Sequence, residues 1–538
     1  MVPVLEPLVV VLVAILVLGA LCRRFGLVEP PILLLGGLAI GLVPHIKDVE
    51  LAPELILTIV LPALLYWEAL TTSLREVRAN LRVIVLLAVG LVLFTTPVVA
   101  WALHEFNDTD WPTAFIIGAV LAPTDAAAVA AIAYMLPRRF MTMLRAESLI
   151  NDGTALVLVA AAVDVAVGGE RVHWGSIWLD LVLSYAGGIA IGVAVAGIVI
   201  LVRRYLHDPM LGTVLSVATP FVAFLPAEEL HVSGVLAVVV CGLTVARYAP
   251  RLISAESRLR TYSFWGLTSY LLNAALFVLV GIELPRATEA LESHTLRDGI
   301  LAVAVATLAV VLSRVIWSYT STILIRTIDR RPSQRARRVD NRRRVPTMWA
   351  GVRGGISLAA ALAVPLTTDA GQPFLERDFI IFVTGGTVLL TLVVQGMTLP
   401  RVIRWARYDP DDAAAREHDL ARHALIAVSL DRLSESSAET PHQQKVIDNI
   451  RHSLEKQRAT VPAPDDAGRA ATVRDFLDFE TDLRLDLIGA QRDALTTLRD
   501  EQQIDGAIYL RLESVLDSEE RSLRLTRDAR DGGLRGPE

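Results

Sequence analysis

The sequence predicts an all-α polytopic membrane protein with a polar, helical tail at its C-terminal end. Apolar residues make up 53% of the 538 residues and charged residues only 20%, and the mean hydropathy is +0.49. The apolar residues gather into segments near the roughly 20 residues that a membrane-crossing helix requires. Arginine collects in every second connection between those segments, the pattern of a chain that crosses a bilayer repeatedly. The formal net charge of −6 says little, because the charge is so unevenly placed.

Thirteen spans are read, over 5–22, 31–43, 53–70, 81–103, 112–136, 145–167, 176–202, 209–226, 231–248, 261–281, 299–325, 347–366 and 379–400. The second is short and carries Gly36, Gly37 and Gly41. The first is followed by Arg23 and Arg24 without a small-residue cleavage site, so it reads as a span and not as a removable signal peptide. The odd connections hold Arg23/Arg24, Arg75/Arg78/Arg82, Arg138/Arg139/Arg145, Arg203/Arg204, Arg247/Arg251/Arg258/Arg260 and the most basic stretch, 326–344. The even ones are acidic or poor in base: Asp48/Glu50, Glu105/Asp108/Asp110, Glu228/Glu229 and Glu289/Glu292. This alternation puts the N-terminus outside and the tail in the cytoplasm of a bacterial plasma membrane.

The membrane domain is read as 1–407 and the cytoplasmic tail as 408–538. The tail shows helical patterns near 413–435, 442–458 and 470–525, with Ile504, Ile508 and Leu512 at the spacing of one amphipathic face. The stretch 460–468, with Pro462 and Pro464, reads as a linker. A regulatory or dimerising tail and a plain solvated appendage both remain open. The two cysteines, Cys22 and Cys241, both lie in apolar stretches, which argues against a disulfide framework and a cysteine-rich metal site. No nucleotide-binding loop is visible.

Charged groups inside spans are costly and therefore mark functional candidates. The fifth span contains Pro123-Thr124-Asp125. Proline removes a backbone donor and clashes with the preceding turn, so freed carbonyls beside an intramembrane Asp offer oxygen ligands to a cation. The sixth span begins with Glu147, Ser148, Asn151 and Asp152, two pairs at i,i+4 spacing. Asp152 lies about 10 Å inside the basic end at 1.5 Å per residue. The twelfth span carries Arg353 before Gly354-Gly355, a helix-weakening pair, and Arg353 calls for an anionic partner. Two interrupted segments in separate halves of the domain point to a transporter's central site. Glu68 is a weaker candidate near the inner end of the third span. Asp164 reads as interfacial and Asn273 as a cross-helix hydrogen-bonding residue.

At these residues the chain resembles the monovalent cation:proton antiporter-1 family, the bacterial NhaP-like and animal sodium/proton exchanger group. Ala122-Pro-Thr-Asp125, Glu147-Ser-Leu-Ile-Asn-Asp-Gly153 and Gly351-Val-Arg-Gly-Gly-Ile-Ser357 are similar to that family's three motifs in their usual order, and 61–65 resembles a fourth segment. The resemblance covers roughly 5–400. It implies a thirteen-helix inverted-repeat fold with two discontinuous helices that cross, assembled as a homodimer. It implies that Asp152 carries the ion and the proton, that Thr124 and Asp125 lie at the crossing, and that Asn151 and Ser148 lie near the ion. It implies a structural ion pair of Glu147 with Arg353. Glu68 follows the third-span aromatic pair Tyr66-Trp67 one position later than is usual, and Ala126 stands where animal exchangers have proline. Asn151-Asp152, where electrogenic relatives carry Asp-Asp, implies electroneutral exchange.

A single carboxylate suffices for such exchange: neutral when protonated, neutral again when it holds a monovalent cation, and costly to move when bare. The expected partners are a monovalent cation, a proton and membrane lipid, with no nucleic acid and no resident cofactor. Sodium/proton antiport is the leading reading. Potassium/proton antiport and a cation channel are the alternatives, although no selectivity-filter repeat is visible for the latter.

Overall fold

In lipid every backbone polar group must find its partner inside the chain, which favours helices throughout. The computed structural model is all-helical among the described residues, which are 2–43, 56–72, 74–130, 135–168, 174–248, 252–289, 291, 294–328, 340–408, 412–459, 467–501, 503 and 506–530. The acidic pair Asp48/Glu50, most of the basic stretch 326–344 and most of the linker 460–468 fall outside them. Two compact units divide the chain, 1–408 and 409–538.

The first unit begins with α1 (Val2–Phe25), α2 (Glu29–Gly41), α3 (Leu61–Thr71), α4 (Leu74–Val85) and α5 (Leu91–Asn107). There follow α6 (Trp111–Leu121), the single turn α7 (Ala127–Ala130), α8 (Arg138–Gly168), α9 (Trp174–Tyr205) and α10 (Pro209–Glu229). Next come α11 (Gly234–Tyr248), α12 (Ala255–Glu289), α13 (Leu296–Ile328), α14 (Asn341–Trp349) and α15 (Gly355–Leu362). The last are α16 (Arg377–Leu390), a π-helical turn (Thr391–Gly396) and α17 (Met397–Ala406). Eight helical stretches among the described residues are long and apolar enough to cross a membrane, and four shorter apolar helices accompany them. Starts are set locally: Asp110 and Asp208 cap α6 and α10 through the Thr113 and Leu211 amides, each with proline next in the first turn.

Two stretches read as continuous spans are broken. The 112–136 segment leaves the helix after Leu121, one residue before Ala122-Pro123, and resumes only at Ala127. The 347–366 segment ends α14 at Trp349 and restarts at Gly355, with 350–354 non-helical. Proline at 123 has no amide with which to continue the helical ladder, and the chain leaves the helix there although Ala122 itself keeps α-region dihedrals (φ −67°, ψ −41°). At the second break Gly354 is extended, with φ −118° and ψ −169°.

The glycines of α2 have a packing role that the sequence reading did not give them. A side chain on Gly37 or Gly41 would run into the backbone of Val278 or Ile282 in α12, and one on Gly281 into the backbone of Leu34. Backbone-to-backbone approach through small residues is the way helices associate where no hydrophobic drive exists between them. It lets a helix of only 13 residues hold its place.

The second unit contains α18 (Asp412–Ser434), α19 (Pro441–Ala459), α20 (Ala467–Asp500) and α21 (Gly506–Arg530). The single pattern read over 470–525 is thus two helices. Arg492 bridges Asp517 and Glu520 at 2.7 and 2.8 Å, and Arg527 reaches Asp482 at 2.7 Å. Hydrogen bonds from Arg492 and Arg524 hold the Glu520 carboxyl below the usual glutamate range. The face read at Ile508 and Leu512 is not the covered one, since both are about half exposed (51% and 47%) while Tyr509 is buried under the Arg499 guanidinium. Ile504 lies outside the described residues.

From this packing, Gly281→Val should separate α2 from α12 and lower the melting temperature of the detergent-solubilised protein by several degrees. Gly266→Val on the same helix, where a side chain would meet open space, should change it by about a degree or less. Differential scanning fluorimetry of the two variants side by side checks this, and equal shifts would count against the close contact.

Candidate functional site

The two breaks meet. The Asp125 amide donates to the Val352 carbonyl at 2.9 Å, so each interrupted segment satisfies a group that the other has freed. The Asp125 carboxylate caps the turn after Pro123, with Oδ1 accepting from Ala127 N at 2.8 Å and Ala128 N at 3.4 Å. Its other oxygen lies against Gly354, the residue that opens α15; a side chain at 354 would overlap it. Glycine is needed there for close approach and not for backbone conformation. Asp125 thus sits at the positive N-terminal end of a helix, where a carboxylate is favoured.

The opposite polarity is met by arginine. Arg353 is fully buried, and its Nε donates to the carbonyl of Leu121, the last residue of α6, at 2.6 Å. Its second bond runs to Gly351 O at 2.8 Å, and its backbone amide donates to Thr391 Oγ1 at 3.3 Å in the π-helical turn. A cation on the carbonyl end of a helix is the favourable complement to Asp125 on an amide end.

The expected pair of Glu147 with Arg353 is not what the structure contains. Glu147 is bound by Arg314 of α13, with NH1 to Oε1 at 2.6 Å and NH2 to Oε2 at 3.4 Å. Both side chains are buried. Arg314 also donates to the Thr347 carbonyl in α14, at 3.3 Å from Nε and 3.1 Å from NH2, and packs against Gly351. Arg353 is committed to carbonyls instead, because the end of α6 lies within its reach. Sequence reasoning missed Arg314 although the signal was present: it is the one charged residue between Asp298 and Arg326, in a stretch otherwise apolar or uncharged.

Around this brace the remaining candidates converge. Thr124 Oγ1 donates to Glu147 Oε1 at 3.2 Å and accepts from Asn151 Nδ2 at 3.0 Å. Ser148 Oγ accepts from the Ala126 amide at 3.3 Å. Thr124, Ser148, Asn151 and Asp152 are all buried, and the Asn151 Oδ1 atom has no hydrogen-bond partner. Asp152 makes no hydrogen bond or ion pair among the described residues. Its carboxyl lies close enough to Asp125 and Glu68 for the three to interact electrostatically. Glu68, half-buried on α3, also senses Arg145. Asn273 is not a cross-helix residue, since its amide returns to the Ser269 carbonyl of its own helix at 3.0 Å.

A cavity of about 890 Å³ approaches this cluster from the end of the bundle away from the arginine-rich connections. Gly153, next to Asp152, forms part of its wall. Asp164, Glu228 and His231 line it too, and all three are exposed. Along α8 the wall runs from Gly153 to Asp164, about 16 Å of helix. Taken together, the arrangement offers a buried, unpaired carboxylate, neutral oxygen ligands around it, an acidic neighbour fixed between helix ends, and solvent access from one side. Oxygen ligands of this kind suit a hard cation.

Comparison with known proteins agrees with this chemistry. The family profile described as "Sodium/hydrogen exchanger, transmembrane" matches residues 9–405. An uncharacterised Na+/H+ exchanger of Mycobacterium bovis is 41% identical over 525 residues, covering 97% of this chain and 96% of its own length, so the likeness extends through the tail. A sodium, potassium, lithium and rubidium/H+ antiporter of Bacillus pumilus is 30% identical over 407 residues, covering 73% of this chain and 60% of its own length. Among solved structures, the sodium proton antiporter MjNhaP1 of Methanocaldococcus jannaschii superimposes with a TM-score of 0.60 at 19% identity, covering 76% of this chain and all of that one.

The Glu147–Arg314 brace yields a prediction. Removing one partner leaves a buried charge uncompensated, a loss of about 3–5 kcal/mol. Glu147→Gln and Arg314→Gln should each destabilise the solubilised protein strongly, and the double variant should lose less than the sum. The coupling measured for Glu147 with Arg314 should exceed that with Arg353. Melting curves of the two double-mutant cycles decide it, and a larger Glu147–Arg353 coupling would contradict the pairing described here.

Proposed function

The chain belongs to the sodium/hydrogen exchanger family, and from that premise we propose that it is an electroneutral sodium/proton antiporter of the plasma membrane in which both ions compete for Asp152. The observation that carries the reading is the Asp152 carboxyl itself, buried and without a hydrogen-bonding or ionic partner among the described residues, one residue from the wall of a solvent-accessible cavity. A carboxyl so placed is stable only when neutralised, by a proton or by a cation. Each crossing of the moving part of the domain then carries one or the other.

In this proposal Asp125, Asn151, Ser148, Thr124 and Glu68 surround the ion with Asp152. Asp125 holds one charge state throughout, because it is tied to the amides of α7 and set against the start of α15. Glu147, Arg314 and Arg353 brace the site and do not touch the ion. The two broken segments cross at Asp125 and Val352, and a count of thirteen spans adds the four shorter helices and the interrupted segment 341–362 to the eight long stretches. With the arginine-rich connections and the tail in the cytoplasm, the 890 Å³ cavity opens outward. Assembly as a homodimer and the absence of a resident cofactor belong to the same proposal. Potassium transport by the same site is the second reading, favoured by the Bacillus relative named for several alkali cations.

The proposal predicts that Asp152→Asn abolishes cation-driven proton movement in proteoliposomes containing a trapped pH dye, while the protein remains folded. With potassium and valinomycin clamping the voltage, exchange by the unaltered protein should not respond to an imposed potential. A membrane potential generated by a sodium gradient and lost with Asp152→Asn would refute electroneutrality. Sodium and potassium added in turn separate the two ion readings.

The orientation has its own test. Ala160 is exposed on the cavity wall, and both native cysteines are buried and free. Ala160→Cys should react with a membrane-impermeant maleimide added outside intact cells, and labelling should slow exchange. Reaction only from the cytoplasmic side of inverted vesicles would reverse the assignment.

A further inference from the structure

At the arginine-rich end of the bundle, away from Asp152, lies a second cluster of polar groups. Arg203 and Arg204 occupy the last turn of α9. Long basic side chains at a membrane edge ordinarily reach outward to the headgroups. Arg204 is exposed, but Arg203 turns inward and is only 6% exposed. Its NH2 donates to the Gly212 carbonyl at 3.3 Å, and its Nε has no hydrogen-bond partner among the described residues. The titratable neighbour that bears on it is the Tyr66 phenol, and among the described residues no carboxylate does so. Glu256 on the nearby α12 is engaged by Arg260 at 2.8 Å, and Asp208 is occupied in capping α10. A guanidinium buried without a counter-charge is an expensive arrangement in a folded protein, unless something supplies the charge.

The groups around it are also donors in search of an acceptor. The Tyr66 hydroxyl is fully buried near the Ser216 and Thr219 hydroxyls, yet among the described residues none is placed to complete a well-formed hydrogen bond with it. Ser216 Oγ accepts from Trp265 Nε1 at 3.1 Å, which leaves its own proton to donate. Thr261 contributes another hydroxyl, held only by a long 3.5 Å contact with Thr213 Oγ1. These groups line a cavity of about 60 Å³ together with the exposed Arg258 and Tyr262 of α12. That is room for a few waters or for one tetrahedral oxyanion.

The geometry points to a binding site for a phosphate group between α3, α9, α10 and α12, held by Arg203 with the Tyr66, Ser216 and Thr261 hydroxyls and guarded at its mouth by Arg258. Guanidinium and converging hydroxyl donors match the charge and acceptor-only character of phosphate oxygens. The group would come from the headgroup of an anionic phospholipid or from phosphate in solution. Once bound, it would tie α9 and α12 to α3, the helix that carries Glu68.

The test uses the full chain in nanodiscs and reads thermal stability. One arm titrates inorganic phosphate into phosphatidylcholine discs, with chloride at matched ionic strength as control. The other compares phosphatidylcholine with phosphatidylglycerol discs in phosphate-free buffer. A saturable rise in melting temperature in the first arm identifies free phosphate, and a rise confined to the second identifies the headgroup. Arg203→Met should abolish whichever rise is seen, and should leave the anion-free protein as stable as the parent or more so, because an uncompensated charge has gone. If that variant does not fold, Tyr66→Phe and Arg258→Gln should each weaken the response several-fold. Asp152→Asn should bind the anion unchanged, which separates this site from the antiport reading. The inference is overturned if neither source stabilises the parent protein saturably, or if the response survives undiminished in Arg203→Met, or in both Tyr66→Phe and Arg258→Gln.

Discussion

Interrupting a helix inside a membrane domain leaves backbone amides and carbonyls without partners, and hydrocarbon offers none. Here two interruptions resolve each other. The amide of Asp125 is taken by Val352, the carbonyl of Leu121 by Arg353, and the carboxylate of Asp125 is placed where α15 begins. Each break would be unfavourable alone, and side by side they exchange complementary ends. The polar centre of the domain depends on this exchange.

The surrounding charges follow from it. Arg353 is drawn to backbone carbonyls, so Glu147 needs another cation, and Arg314 enters from α13 to supply it. By also holding the Thr347 carbonyl, Arg314 ties α8 to the segment that leads into the second break. Thr124 and Asn151 extend the chain of hydrogen bonds from Glu147 toward Asp152, where it stops. The network ends with two groups left open side by side, the Asn151 Oδ1 atom and the Asp152 carboxyl, both of them oxygen acceptors.

Close packing elsewhere serves the same end. Gly37, Gly41 and Gly281 bring α2 and α12 into backbone contact, and Gly118 allows α6 to approach Thr96 of α5. A tightly packed frame keeps the broken segments in register, while the cavity along α8 admits solvent to within one residue of Asp152.

Much of this was legible in the chain alone. Hydropathy and segment length specified a helical membrane domain, and Pro123 and Gly354-Gly355 marked both interruptions. Charge inside apolar stretches singled out Asp125, Glu147, Asp152 and Arg353, because a buried charge in lipid is seldom accidental. What the chain alone did not determine was who pairs with whom. Glu147 joins Arg314 across 167 positions, Arg353 spends its hydrogen bonds on carbonyls that a sequence does not display, and Ile508 and Leu512 prove to be exposed beside the covered Tyr509. Partner choice depends on the distance and direction of side chains brought from separate helices, and those are set only when the helices pack.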